Sequence, residues 1–253
     1  MNVRDWLKQA KTQLEAVDVP TARLDALVLL EDAMGVNRAK LLAEPNMEIS
    51  TETENVLTQQ LARRATHEPL AYVRGKSEFY GREFVVSPAV LEPRPESETM
   101  IELLLQRSDL PTNPRIADVG TGSGALGITA KLELPEASVD LLDSEEDALE
   151  VAHTNVIKLT TGISLFKTDL LHKSPAEYDV LLCNLPYVPD GYAINAAAGH
   201  EPSVALFGGP DGLDLYRKLI GQLANVQNKP LLILCESLPS QHEALKALFA
   251  QHG

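Results

Sequence analysis

The sequence is poor in cysteine, in aromatic residues and in basic charge. Cys183 and Cys235 are its two cysteines, and each lies at the end of an apolar run. This excludes a disulfide framework and any Cys-x-x-Cys metal or redox pattern. The six histidines also lack the spacing of metal ligands. We therefore expect no metal site.

Basic residues are outnumbered 22 to 36 by acidic ones, which gives a formal charge of -14. Such a charge repels a phosphate backbone at long range, so nucleic acid is a disfavoured partner. No apolar run has the length of a signal or membrane segment, and we expect a reducing cytoplasm. With 253 residues and 44% apolar content the chain can form one large or two small globular domains.

The first 70 residues have the pattern of a small all-helical unit. Apolar residues, Trp6 among them, recur at helical spacing, and Gly35 is placed to end the second helix. Thr51 and Glu54 have capping-box spacing and predict a further helix to about His67. We expect Trp6 to belong to the core of this unit.

The residue pattern changes after Pro69. Aromatic and β-branched runs flank Gly81-Arg82, which predicts a hairpin turn within a β linker over residues 72–92. Strands and helices then alternate, which favours an α/β fold with a doubly wound, mostly parallel sheet. The strands are predicted near 115–119, 137–142, 163–167, 178–183 and 230–235.

A glycine loop follows the first of these strands. Gly120, Gly122 and Gly124 allow backbone to approach a ligand closely, and they also satisfy a weak dinucleotide fingerprint. Asp118 precedes them at the strand end, where a carboxylate suits a cationic ligand and disfavours a pyrophosphate. Asp143 lies 23 positions after Gly120, at the distance where a doubly wound fold places a carboxylate on ribose hydroxyls.

The fourth strand delivers Asn184-Leu185-Pro186-Tyr187 to its carboxyl end, where open α/β sheets bind ligands. We call these four residues the corner. Hydrogen-bond acceptors beside an aromatic wall are suited to holding a planar NH2 group, and a plain proline turn is the alternative interpretation of the motif.

These motifs together resemble a known family. Asp118-Val-Gly-Thr-Gly-Ser-Gly124 is similar to the first motif of class I S-adenosylmethionine-dependent methyltransferases, and the corner resembles their Asn-Pro-Pro-Tyr motif. The wider sequence resembles the protein-(glutamine-N5) methyltransferases that act on peptide-chain release factors. The matching stretches are 68–72, 79–81, 91–98, 201–209 and 211–213.

The resemblance implies S-adenosylmethionine as cofactor. It would be held by Asp118, by the loop that includes Thr121, and by Asp143, with Asp169 accepting a hydrogen bond from the adenine amino group and Asn184 also near the cofactor. The corner would perform the transfer. The implied division is a helical substrate-recognition domain over 1–71, the β-hairpin linker over 72–92 and a methyltransferase domain over 93–253 without the usual final strand pair.

Two positions depart from the family pattern. Glu92 replaces the usual apolar residue before Pro93. Leu185 replaces the usual proline, and Asn-Leu-Pro-Tyr also occurs in rRNA adenine dimethylases. The leading hypothesis is methylation of the glutamine in the Gly-Gly-Gln loop of release factors. The alternatives are a glutamine of a ribosomal protein such as uL3, N6 of adenine in RNA or DNA, and a cofactor-binding interaction protein of reduced activity.

Overall fold

The computed structural model describes residues 1–160 and 162–251. Its residues fall into two compact units, which are described separately. The helical unit comprises Met1–Gly75 together with Asn195–His200, and the sheet unit comprises Lys76–Ile194 and the chain from Glu201 onward. The functional division into recognition domain, linker and methyltransferase domain stays a prediction.

The helical unit is built from helices that bury apolar side chains in one shared core. Trp6 is only 4% exposed within it, as expected. Polar side chains cap three of its helices, since Asn2, Asn37 and Ser50 each accept a hydrogen bond from a backbone N–H of the first turn. The predicted cap at Thr51 is therefore wrong by one residue. The helices are α1 (Val3–Glu15), α2 (Ala22–Met34), α3 (Arg38–Ala43), α4 (Thr51–Arg64) and α5 (Leu70–Arg74).

A buried ion pair joins two of these helices. Arg64 Nε donates to Asp25 Oδ2 at 2.7 Å, and Arg64 Nη1 donates to the carbonyl of Glu68 at 3.1 Å. Both partners are nearly inaccessible to solvent. Each charge is thus satisfied by the other, and removing one alone would leave a buried charge without a partner.

The predicted β linker begins later than expected. Residues 70–74 form α5, which starts after Pro69 and ends at Gly75 in the left-handed conformation, so the β assignment of residues 72–74 is wrong. The hairpin consists of β1 (Lys76–Phe79) and β2 (Arg82–Val85). Its turn is formed by Tyr80 and Gly81, not by Gly81-Arg82, and both residues have positive φ angles, 51° and 68°, as a tight two-residue hairpin turn requires.

The sheet unit contains a parallel sheet within the described part of the chain, and from one edge to the other its strands are 163–167, 138–143, 115–119, 180–183 and 232–235. The predicted doubly wound α/β fold is confirmed, and each predicted strand matches an observed one. The strands are β3 (Arg115–Val119), β4 (Ser138–Asp143), β5 (Ile163–Lys167), β6 (Val180–Cys183) and β7 (Leu232–Cys235).

Helices cover both faces of this sheet. Ile116, Val180 and Leu182 pack in one hydrophobic cluster with residues of α6, α7 and α8, and the alternate positions pack in a second cluster with residues of α9 and α10. These helices are α6 (Glu98–Leu105), α7 (Ala125–Glu133), α8 (Glu146–Leu159), α9 (Asp214–Leu223) and α10 (His242–Ala250). Among residues 1–160 and 162–251, no helix has both the length and the apolar character needed to cross a bilayer.

Candidate active site

The strand order places two predicted motifs side by side. β3 leads outward to β4 and β5, and the chain then returns to form β6 on the other side of β3, so the carboxyl ends of β3 and β6 flank the switch point of the sheet. The glycine loop follows β3 and the corner follows β6. A cleft here encloses about 740 Å³, open solvent included, and is lined by Gly120, Gly122, Asp143, Asp169, Asn184, Leu185 and Pro186 among others.

The glycine loop has the backbone conformation for which glycine is suited. Gly120, Gly122 and Gly124 have φ angles of 71°, 53° and 82°. A Cβ atom on Gly120 would lie 3.0 Å from Cδ2 of Leu185. The loop and the corner are therefore packed against each other, and the Leu185 side chain, 1% exposed, fills the space between them.

Asp118 lies near the end of β3, immediately before the glycine loop. Its Oδ2 accepts hydrogen bonds from Thr121 Oγ1 at 2.7 Å and from the Gly127 backbone N–H at 2.8 Å. The side chain is buried, and this burial raises the pKa of Asp118 to about 7. The structure thus gives Asp118 a role in shaping the loop, while its contact with a cofactor stays a prediction.

Asp143 is the last residue of β4 and lines the cleft. Its Oδ2 accepts from the Gly122 N–H at 2.9 Å and its Oδ1 from the Glu145 N–H at 3.0 Å. Burial raises the pKa of Asp143 above the usual range for a carboxyl group. Each oxygen retains a second lone pair. A predicted contact with ribose hydroxyls is compatible with these bonds and remains untested.

Asp169 also lines the cleft, but its side chain is half exposed and is paired with Lys218. The predicted hydrogen bond from an adenine amino group would have to share the carboxylate with this lysine. It stays a prediction.

The corner contains both hydrogen-bonding groups and half-buried rings. Asn184 Nδ2 donates to Ser97 Oγ at 2.9 Å, and no hydrogen bond among the described residues ends on Asn184 Oδ1. The side chains of Pro186 and Tyr187 are half-buried. Burial raises the pKa of Tyr187 well above its usual value, and the nearby Glu236 carboxylate adds to this effect. Tyr187 is therefore a neutral ring with a hydroxyl donor.

Two residues of the site, Ser97 and Glu236, were not predicted from the sequence. Glu236 Oε2 accepts from Ser97 Oγ at 2.5 Å, and Glu236 Oε1 accepts from the Tyr187 hydroxyl at 2.8 Å. Glu236 immediately follows β7, so the rule that identified Asn184 at the end of β6 could also have identified Glu236. Ser97 carried no such signal, because it precedes α6 and is 87 positions from Asn184.

Asn155 on α8 was missed as well. It is fully buried; its Nδ2 donates to the carbonyls of Val85 and Ser123, both at 2.9 Å, and its Oδ1 accepts from the Val85 N–H at 2.7 Å. This side chain ties the hairpin to the glycine loop. No local pattern distinguishes it from any other asparagine on a helix.

The charges near the corner are mainly negative. Arg94 Nη2 lies 2.6 Å from Glu201 Oε2, and its Nη1 lies 3.7 Å from Glu92 Oε2, so two carboxylates neutralise this cation and leave an excess of negative charge. Glu236 adds a third carboxylate. Across residues 1–160 and 162–251, no cluster of His, Cys, Asp and Glu is suited to a metal ion.

Family models place this fold and site in a class. The methyltransferase small domain matches residues 96–201, which include the glycine loop and the corner. The PrmC N-terminal domain matches residues 5–75. The sheet unit is thus that of a methyltransferase.

Relatives with curated names identify the family. The release factor glutamine methyltransferase of Moorella thermoacetica is 37% identical over 253 residues, covering 98% of this chain and 89% of the relative. That of Coxiella burnetii is 31% identical over 255 residues, covering 100% of this chain and 92% of the relative. The chain belongs to the release factor glutamine methyltransferase family.

Solved structures are similar at the level of the fold. The catalytic domain of hMettl16, in complex with a MAT2A 3′UTR hairpin, has a TM-score of 0.55 at 18% identity and covers 77% of this chain and 72% of its own. A methyltransferase from Pyrococcus furiosus has a TM-score of 0.51 at 15% identity, covering 81% of this chain and 88% of its own.

Proposed function

We propose that this protein transfers a methyl group from S-adenosylmethionine to the side-chain amide nitrogen of a glutamine in a peptide-chain release factor, and that the corner holds the amide. One observation supports the assignment of the corner as the site that holds the amide. Asn184 and Leu185 lie in the same cleft as the glycine loop and Asp143, at the switch point of the sheet.

The corner is suited to the difficulty of this reaction. An amide nitrogen is a poor nucleophile because its lone pair is shared with the carbonyl group. The Oδ1 atom of Asn184 and the backbone carbonyl of Leu185 accept one N–H each, which weakens that conjugation and turns the lone pair toward the methyl group. Orientation of this kind can contribute roughly 7–11 kcal/mol in favourable cases.

Tyr187 and Pro186 complete the hold on the amide. The neutral Tyr187 ring stacks on the flat amide group and fixes its plane, while Pro186 restricts the backbone of Leu185 to extended conformations. No side chain is assigned as general base, because an N-methylated amide cation is acidic enough to lose its proton to water.

The cleft also fits the cofactor, which supplies an electrophilic methyl group on a sulfonium centre. The positive φ angles of Gly120 and Gly122 bring bare backbone to the ligand, and the Asp143 carboxylate is placed for hydroxyl donors. The carboxylates of Glu92, Glu201 and Glu236 favour a cation over a phosphate in this region.

The proposed partner is a protein and not a nucleic acid. The net charge of -14 and the acidic surroundings of the corner both oppose a phosphate backbone. Release factors act in translation termination, so the proposal locates the reaction in the cytoplasm. The helical unit is proposed to recognise the release factor, whose glutamine loop enters the cleft.

The decisive variant is Asn184→Ala. We expect it to abolish methyl transfer to a release factor while the Kd for S-adenosylmethionine, measured by calorimetry, changes less than about threefold. The cause is that a methyl group cannot accept the substrate N–H. Asp143→Ala is the matched variant for the other half of the cleft, and it should weaken cofactor binding.

The readout is labelled methyl transfer followed by mass spectrometry of the release factor. A release factor whose loop glutamine is replaced by glutamate serves as the control substrate and should remain unlabelled. Near-normal turnover by Asn184→Ala would show the amide-holding assignment to be wrong. Label in ribosomal RNA alone would overturn the protein substrate.

A further inference from the structure

A chain of hydrogen bonds runs behind the corner and passes through a carboxylate. It connects Asn184 to Ser97, Ser97 to Glu236, and Glu236 to Tyr187. The first and last members belong to the corner, and the two between them lie far away in the sequence, before α6 and after β7. Ser97 is only 2% exposed, so bulk water has little access to this link.

The chemistry of these groups fixes the direction of every bond. An ionised carboxylate only accepts hydrogen bonds, so the hydroxyls of Ser97 and Tyr187 must both donate to Glu236. Ser97 has then used its proton, and its oxygen can only accept from Asn184. The Asn184 amide must therefore turn its NH2 group toward Ser97, and this leaves Oδ1 on the opposite side of the amide.

We propose that Glu236 is a positioning residue for methyl transfer. Through Ser97 it selects the orientation of the Asn184 amide in which Oδ1 faces the substrate, and through its other oxygen it holds the Tyr187 ring. This inference rests on the proposed function, since it explains how the corner keeps an acceptor available to the substrate. Without the carboxylate, a rotated Asn184 would present two N–H donors to the donors of the substrate.

Glu236 is itself held in place by the sheet. The Tyr216 hydroxyl on α9 lies 2.5 Å from the carbonyl oxygen of Glu236 and 3.0 Å from that of Cys183, and Tyr216 is fully buried. The ends of β6 and β7 are thereby tied together. Glu236 and Asn184, which follow these two strands, share one rigid frame.

The test is Glu236→Gln, which keeps the size of the side chain. A carboxylate has two accepting oxygens and an amide has one, so glutamine can accept from Ser97 or from Tyr187 but not from both. We expect kcat with a release factor to fall roughly 10- to 100-fold, in line with small misplacements of reacting groups. The KM for the release factor and the Kd for S-adenosylmethionine should stay within about threefold.

Companion variants separate this role from a merely structural one. Ser97→Ala cuts the link to Asn184 and should also lower kcat, and the double variant should lose less than the product of the two single losses because both act on the same amide. Glu102→Gln removes an equal charge from an exposed position on α6 and should leave kcat unchanged.

These experiments distinguish failure of the positioning role of Glu236 from failure of the proposed function. If Asn184→Ala abolishes turnover but Glu236→Gln keeps near-normal kcat, the positioning role is refuted and the proposed function stands. A parallel loss of kcat, Tm and cofactor affinity in Glu236→Gln would also refute it, because the residue would then only support the fold. Turnover retained in Asn184→Ala would instead refute the amide-holding role of the corner, which is the part of the proposed function on which the inference rests.

Discussion

At the scale of single residues, Asp118 combines burial with an ionisable group. Its folded-state pKa is raised to about 7 from the ordinary 3.8, because burial disfavours the charged form. A raised pKa means that the folded state binds the proton more tightly than the unfolded state. The stability contributed by this group is therefore full below pH 4 and is lost as the pH rises toward and through 7.

We expect Asp118→Asn to change the pH dependence of folding. From pH 5 to pH 8 the natural protein should lose roughly 2 kcal/mol more unfolding free energy than the variant, since each unit of pKa shift corresponds to about 1.4 kcal/mol. Urea unfolding of the ligand-free protein at several pH values measures this difference. Parallel pH profiles for the two proteins would contradict the expectation.

The residues of the site differ in how far their roles could be predicted from the sequence. Asn184 could be predicted because it follows an apolar strand and opens a recognisable motif. Ser97 and Asn155 act through partners about 30 to 140 positions away in the chain, and such partners are chosen by the fold and not by local pattern. Glu236 lies between these cases, because its position after β7 was predictable and its hydrogen bonds were not.

At the scale of structural elements, the strands were predicted best. Short apolar runs bounded by charged or turn residues gave all five strands of the parallel sheet to within about two residues at each end. The start of the hairpin was predicted wrongly because Tyr72 and Val73 have high β propensity. The tertiary structure outweighs that propensity and buries both side chains on the single helical turn of α5.

The segment that precedes α9 also supports the corner. The segment Gly208–Gly212 lies so close to it that a Cβ atom on Gly212 would be 2.0 Å from the Tyr187 carbonyl oxygen and 2.4 Å from Gln241 Nε2. Gln241 Nε2 itself donates to that carbonyl at 2.8 Å. The position of the corner therefore depends on the absence of a side chain at residue 212.

We expect Gly212→Ala to displace the corner and to reduce kcat by roughly 100-fold, because placement errors near 1 Å have effects of this size. Gly191→Ala is the matched control. Gly191 also has a positive φ angle, 76°, but nothing lies within 4 Å of its missing Cβ. Gly191→Ala therefore introduces backbone strain without a steric clash. Circular dichroism and methyl-transfer kinetics are measured for both variants, and equal kcat values would contradict the steric explanation.

At the scale of the whole molecule, the charge of the chain bears on its partner and the fold does not. The fold is similar to that of hMettl16, whose catalytic domain was crystallised with an RNA hairpin, but at 18% identity this likeness concerns the fold alone. The charge of this chain is -14, and its corner is surrounded by carboxylates. A shared sheet is compatible with different substrates, and we expect the residues at its carboxyl edge to select among them.

This contrast gives a prediction for binding. We expect a fluorescent RNA hairpin to show no saturable binding up to about 100 µM protein at physiological salt, the weak end of the range for non-specific nucleic-acid binding. The reason is that acidic residues outnumber basic ones 36 to 22, which gives a net charge of -14. Methylation of a release factor in the same preparation shows that the protein is active. Binding below about 10 µM that weakens steeply between 50 and 200 mM salt would establish a phosphate-binding surface and reopen adenine as a substrate.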